Sequence, residues 1–145
     1  MRPSEIRDEL LAQHEELRAK ISDVRRLIDH QGRGGDGDLQ GSILRLAGVV
    51  SIHNAREEEL MRDVFPTLDA WGPARAEVMR EEHVLEHQEL FDSLMASRDA
   101  LDGGSLEGVR ELLDNMLAHM EREEKVFLCK EVLCDDGVEP DYFGG

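Results

Sequence analysis

His83 and His87 stand four residues apart in the segment Glu82-His83-Val84-Leu85-Glu86-His87. On a helix they share one face, about 40° apart around the axis and one turn apart along it. Neutral imidazole is the commonest metal ligand in proteins. Here it sits in an apolar series with Met79, Leu90 and Leu94, so the pair faces a core rather than water. Two other segments place a histidine four residues ahead of a glutamate, His53 with Glu57 and His119 with Glu123, and His14 stands alone among apolar positions. Five imidazoles and two carboxylates are too many for one metal ion and suit two. The carboxylates would bridge, the imidazoles would be terminal, and an oxygen bridge would have room. Nitrogen and oxygen donors without thiolate fit iron, manganese or zinc, preferred in that order. One such histidine alone would be read as a core residue bonded to a neighbour. Five that fall in one layer call for a ligand.

Helices must bring these side chains together. Leu, Glu, Arg and Ala dominate three long stretches, and no stretch alternates with period two, so the chain is read as all-α. The first helix begins at about Pro3 and ends near His30, with Leu10, His14, Leu17, Ile21, Val24 and Ile28 at steps of three and four. The glycine-rich segment after it, 31–37, is a linker. Asp38 is the expected cap of a second helix, whose stripe from Leu39 to Val64 contains His53 and Glu57 and which Pro66 should stop. Gly72-Pro73 opens a third, ended by Gly103-Gly104. Ser105 caps a fourth, whose stripe includes Val109, Leu112, Met116, His119, Glu123 and Val126. In an up-down-up-down four-helix bundle, His14, His53, His83 and His119 each lie about ten or eleven residues from the same end, or ~16 Å at ~1.5 Å per residue. The bundle is expected to span residues 1–130. The helix is expected to fray beyond it into an acidic tail, 131–145.

Composition narrows the partners. The 145 residues hold 17 Lys+Arg against 33 Asp+Glu, a net charge of −16. Such a surface repels a phosphate backbone and an anionic membrane, so neither nucleic acid nor membrane is expected as a partner. No apolar run approaches the ~20 residues of a membrane span, and the first residues lack a hydrophobic signal region; the reading is cytoplasmic. Cys129 and Cys134 are two thiols near the end and form no disulfide framework. The glutamate runs Glu57-Glu58-Glu59, Glu81-Glu82 and Glu121, Glu123, Glu124 read as mostly solvated, with one member of the first and one of the last turned inward. Met61, Met95 and Met120 read as core filler. His30, beside the linker, is expected to cap a helix or face solvent.

No histidine has a glutamate three residues before it; those places hold Leu11, Val50, Arg80, Val84 and Met116. The Glu-x-x-His motif of ferritin-like di-iron bundles is therefore missing. A lone histidine, then His-x-x-x-Glu, His-x-x-x-His and His-x-x-x-Glu-Glu instead resembles the hemerythrin family of cation-binding domains, over about residues 5–130. The resemblance implies a non-haem di-iron centre, two iron ions with an oxo or hydroxo bridge. His14, His53, His83, His87 and His119 would be terminal ligands and Glu57 and Glu123 bridges. Respiratory hemerythrins carry an aspartate five residues after the last histidine; here glutamates stand at four and five, and Glu123 shares the helical face of His119. The implied function is reversible dioxygen binding for storage, delivery or sensing, by a binding protein rather than an enzyme. Leu17, Val50, Leu90 and Met116 would form a dry wall without a general acid. Two other functions compete. One is an iron-handling or redox protein acting on nitric oxide or peroxide or repairing iron–sulfur centres, toward which only Cys129 and Cys134 lean. The other is a structural zinc or metal-free bundle.

Overall fold

The computed structural model describes residues 2–30, 36–68, 74, 77, 79–99, 106–126, 128–129 and 132–135. Its elements are α1 (Pro3–Asp29), α2 (Asp36–Leu68), a π-helical turn (Met79–His83) leading directly into α3 (Val84–Asp99), and α4 (Leu106–Val126). α1 packs on α2 and α4, and α3 packs on the same two, closing a ring of four. Cross-helix partners run in opposite senses. Gln13 meets His53 while Glu9 meets Arg56; His14 meets Glu124 while Arg25 meets Asp114; His83 meets Glu123 while Glu86 meets His119. Successive helices related in this way make the bundle that the apolar stripes demand. Among the described residues no helix is long and apolar enough to cross a membrane.

α1 starts at Pro3, whose missing N–H costs nothing in a first turn; the Arg2 N–H is met by the Glu5 carboxylate at 2.8 Å. Its buried residues are Ile6, Leu10, His14, Leu17, Ile21, Val24 and Ile28, the anticipated series plus one turn. His30 caps the helix end, is exposed, and stands apart from the other histidines.

Four boundaries differ from expectation. α2 begins two residues before Asp38 and does not stop at Pro66, which lies inside it. A proline this close to a helix end forfeits a single backbone bond, and the Thr67 hydroxyl donates to the Val64 carbonyl at 2.7 Å in the freed turn. The third helical segment enters through a π turn instead of regular α-helix. α4 ends at Val126 rather than near 130, where the Leu128 N–H closes on the Glu123 carbonyl at 2.9 Å. The capping roles read for Gly72-Pro73, Trp71, Gly103-Gly104 and Ser105 fall outside the described residues.

A fifth difference is energetic. Residues 128–129 and 132–135 do not fray but strap the end of the bundle. Leu128 and Leu133 are buried in one cluster with Ile6, Leu10, Leu60 and Met61. Ser4 donates to Asp135 through its backbone N–H and its hydroxyl, at 2.9 and 2.6 Å, and Arg7 donates to the Leu133 carbonyl at 3.2 Å. A fully buried leucine cut to alanine costs about 2–5 kcal/mol. Leu133→Ala is therefore expected to lower stability by about 3 kcal/mol in urea unfolding, where a residue in a frayed tail would change it by less than ~0.5 kcal/mol. The main core, with Leu17, Ile43, Leu94 and Leu113, fills the other side of the bundle. The histidine layer lies between these two apolar blocks.

Candidate metal centre

α1 contributes His14, α2 contributes His53 and Glu57, the π turn His83, α3 His87, and α4 His119 and Glu123. All seven side chains are buried, His83 the most accessible at 8%. They form two groups, His83, His87, His119 and Glu123 in one, His14, His53, Glu57 and Glu123 in the other. Within each group the ligand atoms lie within 4.8 Å of one another. Glu123 belongs to both: its Oε1 is 3.2 Å from His14 Nε2, and its Oε2 is 2.6, 3.1 and 3.1 Å from Nε2 of His83, His87 and His119. Glu57 is divided in the same way. Its Oε2 is 3.3 Å from His53 Nε2 and 3.7 Å from His14 Nε2, and its Oε1 is 3.3 Å from His87 Nε2.

These separations suit ion pairs, but most lack the angles of hydrogen bonds. Among the described residues seven buried side-chain nitrogens and oxygens have no hydrogen-bond partner, and six belong here: Nε2 of His14, His53 and His119, both oxygens of Glu57, and Oε1 of Glu123. An orphaned buried polar atom costs roughly 1–3 kcal/mol. Six in one layer, with their lone pairs converging, are what a pair of cations would satisfy. The donors are nitrogen and oxygen only, which suits iron, manganese or zinc.

Without cations, protons hold the layer together. Burial opposes charge on His14 and His87, but the Glu123 and Glu57 carboxylates close to both push each pKa up to about 10. Burial likewise opposes His119, which Glu123 raises on balance. Burial and the neighbouring Glu123 charge work against ionised Glu57, and His14 and His53 outweigh them to lower its pKa. Burial also works against ionised Glu123, which Glu57 and the surrounding imidazoles, His119 first among them, hold well below the ordinary carboxylate range.

A second circle of residues, of which Glu58 and Glu124 were read from sequence as solvated, orients the imidazoles. His14 Nδ1 donates to Glu124 at 2.7 Å, and Arg18 donates to the same oxygen at 2.7 Å. His87 Nδ1 donates to Glu58 at 2.7 Å, His53 Nδ1 to Gln13 at 2.7 Å, and His119 Nδ1 to Glu86 at 2.6 Å. Arg122 also donates to Glu86. Each bond holds a proton on Nδ1 and aims Nε2 inward. Glu58, Glu86 and Glu124 are thus only partly exposed, a quarter to a third of each side chain. Glu124 points outward to His14 while Glu123 points in.

The partners follow an approximate two-fold relation that exchanges α1 with α3 and α2 with α4. His14 matches His87, Gln13 matches Glu86, and His53 matches His119. Glu57 and Glu58 match Glu123 and Glu124. The signal lies in the sequence as His-x-x-Arg-Glu-Glu at 53–58 and at 119–124, and as His-x-Glu-Leu at 14–17 and at 87–90. His83 alone has no counterpart; Leu10 occupies the matching place, one turn before His14.

The same relation runs through a cavity of about 20 Å³ beside the layer, enough for one water-sized molecule. Its wall pairs Leu17 with Leu90 and Val50 with Met116, the four apolar residues expected from sequence. Asn54 and Met120 complete it. Asn54 was not anticipated.

The family model of the hemerythrin HHE cation-binding domain matches residues 5–130. No curated protein and no solved structure matches the chain at a significant level.

Proposed function

The chain belongs to the hemerythrin HHE cation-binding domain family, and from that premise we propose that it holds two iron ions and binds dioxygen reversibly, for storage, delivery or sensing. His83, His87 and His119 would hold one ion and His14 and His53 the other, with Glu57 and Glu123 shared between them. The observation that carries this reading is the convergence of six orphaned buried atoms, with each carboxylate turning one oxygen to either group. Iron bound there supplies the electrons that dioxygen binding draws on. The protein supplies the rest. Glu58, Glu86, Glu124 and Gln13 hold four imidazoles in place. Leu17, Val50, Leu90 and Met116 keep water from the cavity. Besides the proposed ligands, the described cavity wall carries no acid or phenol to deliver a proton, which favours release of the bound molecule over its reduction.

The deciding experiment loads the protein with ferrous iron without oxygen, counts metal per chain, and follows the absorption spectrum through cycles of air and vacuum. Two irons per chain and a reversible spectral change are expected. Two irons that oxidise once and never return would move the function to redox chemistry on peroxide or nitric oxide. Little iron would sink the di-iron reading. In the same assay His83→Ala and His119→Ala should each lose at least one ion, and His30→Ala neither.

Glu124→Gln tests the outer circle. It leaves all seven proposed ligands in place but removes the charge behind His14 and Arg18. Loss of such an outer partner costs about 10–100-fold in metal affinity, measured by competition with a chelator. An unchanged affinity would make Glu124 a surface residue.

A further inference from the structure

The inner cavity does not end at its apolar wall. Asn54 and His87 also line an outer groove of about 260 Å³ between α2 and α3, together with Ser51, Glu58, Val84 and Phe91 among others. His87 is fixed at both ring nitrogens, by Glu58 and by Glu123. Asn54 is partly exposed, and its amide makes no hydrogen bond to any described residue. It is therefore the movable part of the partition. It is also the cavity's one polar residue outside the proposed ligand set.

Among the described residues, the seam related by the two-fold differs in the parts that matter. The seam that corresponds to α2/α3 is α4/α1. There Met120, only 3% exposed, takes the place of Asn54. Arg18 takes the place of Phe91 and is tied to Glu124 and Glu15 at 2.7 and 2.9 Å. One seam is closed by a buried thioether and two ion pairs; the other carries an unbonded amide under an open groove.

We propose that small ligands reach the metal layer through the α2/α3 seam past Asn54, and that the Asn54 amide then donates a hydrogen bond to the bound ligand. This rests on the two-metal reading above. Size and polarity at residue 54 set which ligands enter and how long they stay: a small molecule with an acceptor atom is retained, and one without leaves faster.

The test uses azide, a small linear anion, with iron-loaded oxidised protein in stopped flow, and iron is counted in every variant. Asn54→Ala and Asn54→Ser both widen the passage and should speed association several-fold. Serine keeps a donor, so its azide should dissociate about tenfold more slowly than from the alanine variant. Asn54→Leu keeps the bulk and removes the donor; it should slow association and speed dissociation. Leu117→Ala, at the α4/α1 seam in the place that matches Ser51, should leave both rates within twofold. In zinc-loaded protein the Asn54 side-chain amide resonance should shift when azide is added, a readout independent of iron. Two irons per chain with azide rates unaltered by all three Asn54 changes, or Leu117→Ala speeding association as much as Asn54→Ala, would overturn the access route alone. Wild-type protein that takes up no iron would overturn the two-metal reading and this proposal with it.

Discussion

Glu123→Ala is expected to lose both of the proposed metal ions, whereas His14→Ala is expected to lose one. Glu123 stands within 3.2 Å of four of the five histidines, and it is the residue that the two groups share. Any other ligand change, Glu57→Ala included, leaves one group whole. The expected metal content of Glu123→Ala is near zero per chain by elemental analysis, against about half the wild-type content for His14→Ala. Retention of one ion by Glu123→Ala would show that the two groups are independent. The metal-free variant should also be destabilised. Glu123 is 1% exposed and accepts from His83 and His87, so its loss strands buried positive charge. Breaking a buried pair in this way costs about 3–5 kcal/mol, which urea unfolding would read directly.

The second large effect is on pH dependence, and it has opposite signs with and without metal. In the metal-free protein His14 and His87 titrate at about 10 rather than near 6.5. A base held above its unfolded value stabilises the fold fully below pH 6.5 and loses that contribution as pH rises toward 10. The lowered Glu57 and Glu123 stabilise above the ordinary carboxylate range and lose their contribution as pH falls below it. Metal-free protein should therefore be most stable near pH 5–6.5 and weaken steadily to pH 10. Metal binding works the other way, because a histidine must give up its proton to become a ligand. His14 lies in one group and His87 in the other, so each ion displaces at least one proton. Affinity should then climb about tenfold per pH unit for each ion between pH 7 and 9. Thermal melts at pH 6, 7, 8 and 9 with and without metal should show a widening gap; a constant gap would mean that the imidazoles are already neutral.

The sequence made the helices and much of their inward faces legible, since the apolar steps of three and four carry directly into buried residues on α1 and, as far as Glu123, on α4; Val126, read into the same stripe, lies past the last inward turn and is 54% exposed. The layer of histidines was legible too, because helix length converts residue counts into height along a bundle. Pro66 misled because its rule concerns helix interiors, and the rule weakens in a last turn. The π turn left no trace, since His83 and His87 keep their spacing of four across it. Leu133 was missed because a single leucine among Cys, Asp and Gly shows no period; its burial comes from the bundle end that it covers. Glu58 and Glu124 were read as solvated, and Glu86 was passed over, because they lie off the apolar stripe. Their partners stand on neighbouring helices, which one helix's periodicity does not reveal. Asn54 was invisible for a similar reason: its importance comes from a groove that two helices form together.

The two-fold relation of the site has a consequence for modularity. The hairpin of α1 and α2 contains one histidine on its first helix, His-x-x-Arg-Glu-Glu on its second, and an amide or carboxylate partner for the histidine between. The hairpin of α3 and α4 repeats that inventory and adds His83. A single hairpin of about 60 residues, associating with a copy of itself about a two-fold axis, would therefore reproduce four imidazoles, both bridging carboxylates and the outer circle. The centre is in this sense a dimer written into one chain. The departures from symmetry, His83 against Leu10 and Asn54 against Met120, are what a self-paired hairpin could not have. They would make the two proposed metal positions unequal and set the α2/α3 seam apart from the α4/α1 seam.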